Sequence, residues 1–334
     1  MINHSTRFAV IGHGSWGTAL VKILTDNRMA VDWYVRNDKV REHIQDERNN
    51  PKYLSQVNFH TRRLKLHSNI DTAVENAQVV IMATPSAFIK GVLDDLTVPL
   101  SDKFVITSIK GIVPDEYITI AEYLHERLDV SFGNIGVLTG PCHAEEVALE
   151  RLSYLTIACK EEQKAQRFVE VLSNDYMRVT GSTDIYGTEY AAVLKNIYAV
   201  AVGVCNALRY GDNFTAVLIA NAAIEIERFM KATYDYERQL FASAYLGDLL
   251  VTCYSGFSRN RAFGQFIGKG YTAKVAQMEM SMVAEGYYAA ACIRHLKERK
   301  GLHIDMPIAD AMYEILYQKK NPADEINKIL PKFI

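Results

Sequence analysis

Cysteine and net charge are both scarce in this chain, and each scarcity excludes a class of protein. The five cysteines among 334 residues are odd in number, widely scattered and never spaced as Cys-x-x-Cys, which argues against a disulfide framework and against a zinc site. A formal net charge of -2 supplies no global positive field for nucleic acid or for an anionic membrane surface. We therefore expect a protein of the reducing cytoplasm, with no metal and no nucleic-acid partner.

Long hydrophobic runs are missing as well. The most apolar segment, 191–208, is interrupted by Lys195 and Asn196, and the N-terminal MINHSTRF is polar, unlike the apolar stretch of a signal peptide. We expect neither a membrane span nor a membrane partner. A content of 49% hydrophobic and 23% charged residues is ordinary for a globular protein, and 334 residues exceed what one core usually holds. Two domains are therefore expected.

The first half of the chain alternates short apolar runs with helix-like segments. The runs lie at 7–12, 31–35, 79–84, 104–109 and 135–140. The helical segments between them include 17–27, 37–47 and 116–128. This alternation is typical of βαβ units around a parallel sheet, which the runs 152–159 and 176–181 are predicted to extend. Residues 1–181 are therefore predicted to form a Rossmann-like, doubly wound α/β domain that binds a dinucleotide.

The second half has a different periodicity. After residue 181 the β-branched runs stop, and Ala, Leu, Ile and Glu dominate the segments 186–209, 213–232 and 236–253. Apolar residues at helical spacing indicate helices, so residues 182–334 are predicted to form an all-α domain that holds the substrate and the catalytic groups. The segment 255–272 combines several glycines with basic residues and is predicted to be a loop.

A glycine motif precedes the first predicted helix. Gly12, Gly14 and Gly17 in IGHGSWGTA match Gly-x-Gly-x-x-Gly, follow an apolar strand and open a helix. In a dinucleotide site these positions allow a tight turn, a close approach of the backbone to the pyrophosphate, and close packing of helix on strand. An ordinary glycine turn is the alternative, but the strand before and the helix after favour a cofactor site.

Arg36 lies where the next predicted strand ends. NAD-specific proteins usually keep an acidic residue at that place for the ribose hydroxyls. A guanidinium can instead stack on adenine and pair with a 2′-phosphate, which predicts that NADP is accepted. A solvated arginine beside Asp38 is the alternative, and the choice between NADH and NADPH stays open.

Two lysines are candidates for the chemistry. Lys110 follows the apolar run 104–109, at the sheet edge where doubly wound folds bind ligands; a solvated loop cation is the alternative. Lys195 lies in a helix that is apolar on nearly every face, where a lone charge is costly. Its neighbours one turn away, Ala191 and Ala199, leave room for a ligand, although a long stem could also carry the charge to water.

Polar residues of the second half add to the candidate site. Asp248 in LGDL stands among apolar residues, either as a partner for a positive group or as a helix cap. Ser258, Arg259, Asn260 and Arg261 form a polar cluster suited to holding a phosphate by charge-assisted hydrogen bonds. A solvated basic loop is the alternative for that cluster.

Taken together, the motifs resemble those of bacterial NAD(P)-dependent glycerol-3-phosphate dehydrogenases in order and spacing, nearly from end to end. They are IGHGSWGTA, Lys110-Gly111, TGPCHAEE at 139–146, LKN at 194–196, LGDLLVTC at 246–253, SRNRAFG at 258–264 and EGYYAA at 285–290. The resemblance implies a reversible, NAD(P)-dependent reduction of dihydroxyacetone phosphate to sn-glycerol 3-phosphate, serving phospholipid synthesis. It also implies a homodimer.

The resemblance further implies roles for individual residues. Lys195 is then the proton donor and acceptor. The substrate is surrounded by Lys110, Gly140, Lys195, Asp248, Ser258, Arg259 and Asn260. The cofactor is contacted by Gly12, Gly14, Ser15, Trp16, Gly17, Arg36, Lys110, Gly140, Ala144, Arg259, Val283 and Glu285.

Three positions depart from the family pattern. Cys142 stands where the family commonly has Ser or Thr, and Thr215 and Asn221 stand where it commonly has basic residues. These departures leave fine substrate contacts and regulation open, and Cys142 is expected to be a packing residue. Two other functions also stay open. A related dehydrogenase of a β-hydroxy acid is disfavoured by SRNR, and a cofactor sensor without turnover is disfavoured by the buried Lys195.

Overall fold

The computed structural model describes residues 2–3, 5–280 and 283–334, which divide into two compact units. The sheet unit comprises Met1–Ile109 and Ile120–Ile185, and the helical unit comprises Lys110–Thr119 and Tyr186–Ile334. The sequence predicts one boundary, between residues 181 and 182. The chain instead divides after residue 185, and a short segment of the first half belongs to the helical unit.

Eight of the strands form one sheet in the sheet unit. The strands of the chain are β1 (Arg7–Ile11), β2 (Ala30–Tyr34), β3 (Leu64–His67), β4 (Val79–Met82), β5 (Phe104–Thr107), β6 (Ile112–Val113), β7 (Ile118–Thr119), β8 (Ile135–Thr139), β9 (Ser153–Cys159) and β10 (Met177–Ser182). The sheet order is β10-β9-β8-β5-β4-β1-β2-β3, and every neighbouring pair is parallel except β8 with β9. Strand order reverses between β1 and β4, the point at which doubly wound sheets bind their ligands.

The central strands of this sheet are buried along their whole length. β4, β5 and β8 show no exposed or half-exposed residue, as expected of parallel strands covered on both faces. The helices of this unit are α1 (Ser15–Asp26), α2 (Asp38–Glu47), α3 (Ile70–Val74), α4 (Ile89–Leu93), α5 (Ile120–Leu128), α6 (Ala144–Ala148) and α7 (Glu162–Leu172). The core between them includes Phe8, Trp33 and Phe168, each fully buried.

Two features of the sheet differ from the sequence prediction. The sequence does not predict the edge strand β3, because its residues do not form an apolar run. None of them is fully buried, so the strand does not need such a run. The pair β8 and β9 is antiparallel within an otherwise parallel sheet. The connection between these two strands, residues 140–152, contains the five-residue helix α6.

The helical unit is built around one long apolar helix, α8. Its helices are α8 (Ile185–Ala207), α9 (Asp212–Thr233), α10 (Asp248–Tyr254), α11 (Arg259–Gly268), α12 (Ala273–Glu279), α13 (Glu285–Arg299), α14 (Pro307–Leu316) and α15 (Pro322–Ile329). By length and a mean hydropathy of 1.3, α8 could cross a membrane, but 89% of its apolar window is buried inside the protein. It is therefore placed as the core helix of this unit.

A hairpin from the first half of the chain also packs into the helical unit. It consists of β6 and β7, and Ile112 of β6 is 1% exposed within the helical core. Arg299 donates a hydrogen bond of 2.6 Å to the carbonyl oxygen of Glu116. The rings of Tyr117 and His295 pack with centroids 4.8 Å apart. The hairpin is thus tied to α13 by apolar, polar and aromatic contacts.

Two predictions for the second half are wrong. The pattern predicts a helix over 236–253, but only Asp248–Tyr254 is α-helical, after a π-helical turn at Ser243–Gly247. The predicted helix also includes Tyr236 and Arg238, which precede the π-helical turn. There the guanidinium of Arg238 lies over the ring of Tyr236, 5.4 Å from its centroid. The segment 255–272, predicted to be a loop, contains the ten-residue helix α11.

Candidate active site

The glycine fingerprint forms the turn from β1 into α1 in the sheet unit. Gly12 has φ of +125°, and a Cβ built there would lie 2.7 Å from the carbonyl oxygen of Ala83, so a side chain is excluded. A Cβ on Gly17 would lie 2.2 Å from the carbonyl oxygen of Gly12. In contrast, a Cβ on Gly14 would meet no atom of the described chain within 4 Å. That space adjoins the N-terminus of a 12-residue helix, which attracts anions, so it suits a diphosphate.

The other predicted cofactor residues of the sheet unit lie at strand and helix ends. Ser15 and Ala144 are the buried first residues of α1 and α6, and Trp16 is half-buried. Arg36 is exposed, two residues beyond β2. Gly140 follows β8 with φ of +136°, and a Cβ there would lie 2.8 Å from a carbonyl oxygen of β9. Gly140 is therefore required by the backbone itself, whatever ligand it meets.

In the helical unit, three charged residues that are predicted to belong to the active site lie close together. Lys195 of α8 is 3% exposed, and its Nζ contacts Oδ1 of Asp248, which is 1% exposed. Nζ of Lys110 lies 3.7 Å from Oδ2 of the same carboxylate. Lys195 therefore does not carry its charge to water. Asp248 is the first residue of α10 but not its cap, because Gly247 occupies the cap position.

These neighbours determine the protonation of Lys195. Burial lowers its pKa to about 7; the attraction of Asp248 opposes this shift, and repulsion from Lys110 adds to it. An acid–base group works best when its pKa is near the working pH. Lys195 is thus placed to give and to take a proton near neutrality.

Two asparagine side chains connect the segments that carry these groups. Asn196 Nδ2 donates to the carbonyl oxygen of Lys110 at 2.9 Å. Asn260 Nδ2 donates to Asn196 Oδ1 at 2.8 Å, and the N–H of Gly286 donates to Asn260 Oδ1 at 2.8 Å. Sequence reasoning missed Asn196 as a member of the site, and its position beside Lys195 is the only local signal for it.

The predicted phosphate cluster divides at the start of α11. Ser258 is buried and caps the helix, since its Oγ accepts from the N–H of Arg261 at 3.3 Å. The guanidinium of Arg261 is hydrogen-bonded to Asn206 Oδ1 at 3.2 Å and to the carbonyl oxygen of Tyr254 at 3.0 Å. Arg259 lies half-buried at the first position of the helix, and its predicted role at a phosphate stays a prediction.

Close backbone contacts explain why the glycine-rich segment is helical. A Cβ on Gly264 of α11 would lie 2.0 Å from the carbonyl oxygen of Val200 on α8. A Cβ on Gly286 of α13 would lie 2.4 Å from the carbonyl oxygen of Asn196. These glycines let α11 and α13 pack directly on the α8 turns next to Lys195. Val283 and Glu285, predicted to touch the cofactor, are half-buried at the start of α13.

The three departures from the family pattern are all buried. Cys142 is 7% exposed. Thr215 Oγ1 donates to the carbonyl oxygen of Gly211, the cap residue before α9, at 3.1 Å. Asn221 Nδ2 donates to the carbonyl oxygen of Ile334 at 3.2 Å, and its Oδ1 accepts from the N–H of Ile334 at 3.2 Å. Thr215 and Asn221 thus hydrogen-bond to backbone, and Asn221 holds the last residue on α9.

Comparison with known proteins matches both halves of the chain to the same family. The family model described as the N-terminus of NAD-dependent glycerol-3-phosphate dehydrogenase matches residues 7–165, and the model of its C-terminus matches residues 184–327. A relative from Exiguobacterium sp., named glycerol-3-phosphate dehydrogenase (NAD(P)+), is 35% identical over 96% of this chain and 94% of its own. One of the same name from Macrococcus caseolyticus is 34% identical over 93% of each chain. The solved structure of a glycerol-3-phosphate dehydrogenase from Coxiella burnetii has a TM-score of 0.89 at 26% identity, over 98% of this chain and 99% of that chain.

Proposed function

Because the chain belongs to the NAD-dependent glycerol-3-phosphate dehydrogenase family, we propose that it interconverts dihydroxyacetone phosphate and sn-glycerol 3-phosphate, with Lys195 as the proton carrier. The chain is an NAD(P)-dependent oxidoreductase. The observation that carries the proposed mechanism is the buried contact of Lys195 with Asp248, beside Lys110. The two lysines supply positive charge, and Lys195 also supplies a mobile proton. Both stabilise the alkoxide that forms when a ketone is reduced.

Lys195 moves the proton in this mechanism. The bound nicotinamide supplies or accepts the hydride at C2. In reduction, the Lys195 ammonium donates a proton to the substrate oxygen as that oxygen gains negative charge, and in oxidation the neutral amine removes the proton. A pKa of about 7 lets one group serve both directions. Asp248 orients the ammonium, and the charge of Lys110 stabilises the developing alkoxide.

Arg259 is assigned to the substrate phosphate. We expect Arg259→Ala to lower kcat/KM for dihydroxyacetone phosphate by about 10- to 150-fold, because a charge-assisted hydrogen bond contributes about 1.5 to 3 kcal/mol. Reduction of unphosphorylated dihydroxyacetone should change far less. The measurement is kcat/KM on both ketones. Arg261→Ala is the matched control, since that guanidinium binds Asn206 and Tyr254, and it should affect both ketones alike. Equal losses on the two ketones in Arg259→Ala would show that Arg259 does not hold the substrate phosphate.

The cofactor is assigned to the fingerprint loop and to Arg36. What supports the assignment is the open space at Gly14, the N-terminus of α1 and the exposed guanidinium just beyond β2. For Lys110, Arg259, Val283 and Glu285, the cofactor contacts implied by the family resemblance stay predictions.

Arg36→Asp is expected to shift the cofactor preference toward NADH. The carboxylate repels a 2′-phosphate but accepts hydrogen bonds from ribose hydroxyls, and like charges brought together cost several kcal/mol, so the NADPH/NADH ratio of kcat/KM should fall at least about tenfold. The ratio is measured at matched ionic strength. Lys39→Asp makes the same charge change at an exposed position of α2 and should leave it unchanged. An unchanged ratio in Arg36→Asp would show that Arg36 does not contact the ribose.

One absorbance assay tests the proposed reaction. Oxidation of NADH and NADPH is followed with a panel of phosphorylated and unphosphorylated ketones, and turnover is expected with dihydroxyacetone phosphate. Turnover confined to a β-keto acid would support the related dehydrogenase instead. Tight cofactor binding with no turnover on any ketone would support a sensor.

We further infer a cytoplasmic homodimer that acts on a small phosphorylated substrate, without nucleic-acid or membrane partners. The burial of α8 and the net charge of -2 support the absence of membrane and nucleic-acid partners. Light scattering on the purified protein measures the oligomeric state directly, and a monomer at assay concentrations would contradict the dimer.

A further inference from the structure

Asn50 is a completely buried residue of the sheet unit that holds the fingerprint loop. Its exposed fraction is 0%. Its Nδ2 donates to the carbonyl oxygen of His13 at 3.0 Å and to Thr18 Oγ1 at 2.9 Å. Its Oδ1 accepts from the backbone N–H groups of Lys52 at 3.0 Å and Tyr53 at 3.3 Å. The amide is thus held on both sides in a single orientation.

The carbonyl oxygens on either side of His13 are held as well. The indole Nε1 of Trp33 donates to the carbonyl oxygen of Gly12 at 2.9 Å. The N–H and the Oγ1 of Thr18 donate to the carbonyl oxygen of Gly14 at 2.9 and 2.8 Å. Three successive carbonyl oxygens of the loop therefore accept hydrogen bonds from the sheet unit itself, and the middle one depends on Asn50.

A held carbonyl fixes the direction of the N–H that follows it. In a trans peptide the C=O of one residue and the N–H of the next lie in one plane and point in opposite directions. Asn50 therefore fixes the N–H of Gly14 by holding the carbonyl of His13. This matters because an N–H attracts a diphosphate, whereas a carbonyl oxygen turned toward it would repel it.

We propose that Asn50 is a positioning residue for the cofactor. It keeps the peptide between His13 and Gly14 turned so that its N–H faces the cofactor diphosphate and its carbonyl oxygen does not. The inference rests on the proposed placement of the diphosphate at Gly14. Asn50 itself touches no ligand in this arrangement and acts through the backbone of the loop.

The test is the substitution Asn50→Asp, which keeps the size of the side chain and the acceptor for Lys52 and Tyr53. It replaces the donor to His13 with an oxygen that repels the carbonyl. We expect the dissociation constants of NADH, NADPH and ADP to rise by the same factor, at least about tenfold, equivalent to about 1.4 kcal/mol. AMP, which lacks the diphosphate, should lose less affinity. At saturating cofactor, kcat should stay close to that of the wild-type protein.

The control is Asn49→Asp, the same change at the preceding residue, whose Oδ1 meets His43 Nε2 at 3.0 Å. It should bind all four ligands normally. Unchanged affinity for ADP in a folded Asn50→Asp variant, even one with a lower Tm, would overturn the proposal, as would an equal loss for AMP and ADP. If Asn50→Asp does not fold, Asn50→Ala, which buries no charge, answers the same question with the same expected rise for ADP. Failure of the proposed function is distinguishable, because the wild-type protein would then bind ADP or NADH but reduce no ketone.

Discussion

Replacing Lys195 with methionine is expected to lower kcat by about two to four orders of magnitude in both directions, the range for removal of a positioned acid–base group. Methionine resembles the lysine stem in volume but carries no proton. The position is 3% exposed, so bulk water is a poor substitute for the missing group. Asp248 keeps Lys110 at 3.7 Å, and the carboxylate therefore retains a cation nearby in the variant.

The measurement is kcat for ketone reduction and for glycerol 3-phosphate oxidation, with the dissociation constant of NADH and the Tm recorded on the same preparations. NADH affinity should be retained. Lys297→Met is the matched control, because Lys297 is a buried lysine of the same unit whose Nζ lies 2.9 Å from Asp310. It should lose stability and keep its kcat. Near-normal turnover by a folded Lys195→Met variant would remove Lys195 from the mechanism, and equal losses in both variants would make its role structural.

Asp248→Asn is expected to have the next largest effect, and the effect should depend on pH. Reduction needs the Lys195 ammonium, so kcat/KM for reduction in the wild-type protein should fall as pH rises through about 7, while oxidation rises through the same pH. Asp248 raises the pKa of Lys195 against burial and against Lys110. Without the carboxylate the pKa falls further, so both profiles should move to lower pH.

The two directions should therefore suffer differently. Above the pKa, each unit of downward shift lowers the protonated fraction about tenfold, and loss of orientation adds to this, so reduction at pH 8 should fall about 100-fold or more. Oxidation at pH 8 uses the neutral amine and should fall less. The measurement is kcat/KM in both directions from pH 5.5 to 9. Asp310→Asn, which removes the partner of Lys297, should leave the profiles in place. Equal losses at every pH would contradict the proposed role of Asp248.

Residues that stand out against their own surroundings could be predicted from the sequence. Lys195 is a charge in an apolar helix, and Gly12 and Gly17 repeat at a fixed spacing between a strand and a helix. The residues that make these positions unusual are their neighbours in the sequence, so the pattern can be recognised without a structure. Asn196 and Asn260 are different, because the carbonyl that Asn196 binds lies 86 residues away and the two asparagines are separated by 64 residues. A local sequence pattern cannot predict hydrogen-bond partners that are this far apart in the chain.

The errors in the predicted fold also arise from contacts between residues that are distant in the sequence. Glycine is a poor helix former in isolation, so the segment containing α11 has the composition of a loop. Gly264 is helical because its missing side chain lets the helix touch the backbone of α8, a tertiary contact that overrides local propensity. The hairpin of β6 and β7 joins the helical unit for the same kind of reason, since its partners lie on α13.

That hairpin also has a consequence for biosynthesis. Residues 110–119 leave the ribosome long before residues 295 and 299, which hold Tyr117 and Glu116 in the finished protein. At about 5 to 20 residues per second, translation takes roughly 10 to 40 s to cover the interval between them. Throughout that time the nascent chain presents Ile112 without its helical core. Slow translation, or a ribosome stalled before α13, should therefore prolong the exposure of this segment to chaperones and proteases more than that of any strand of the sheet.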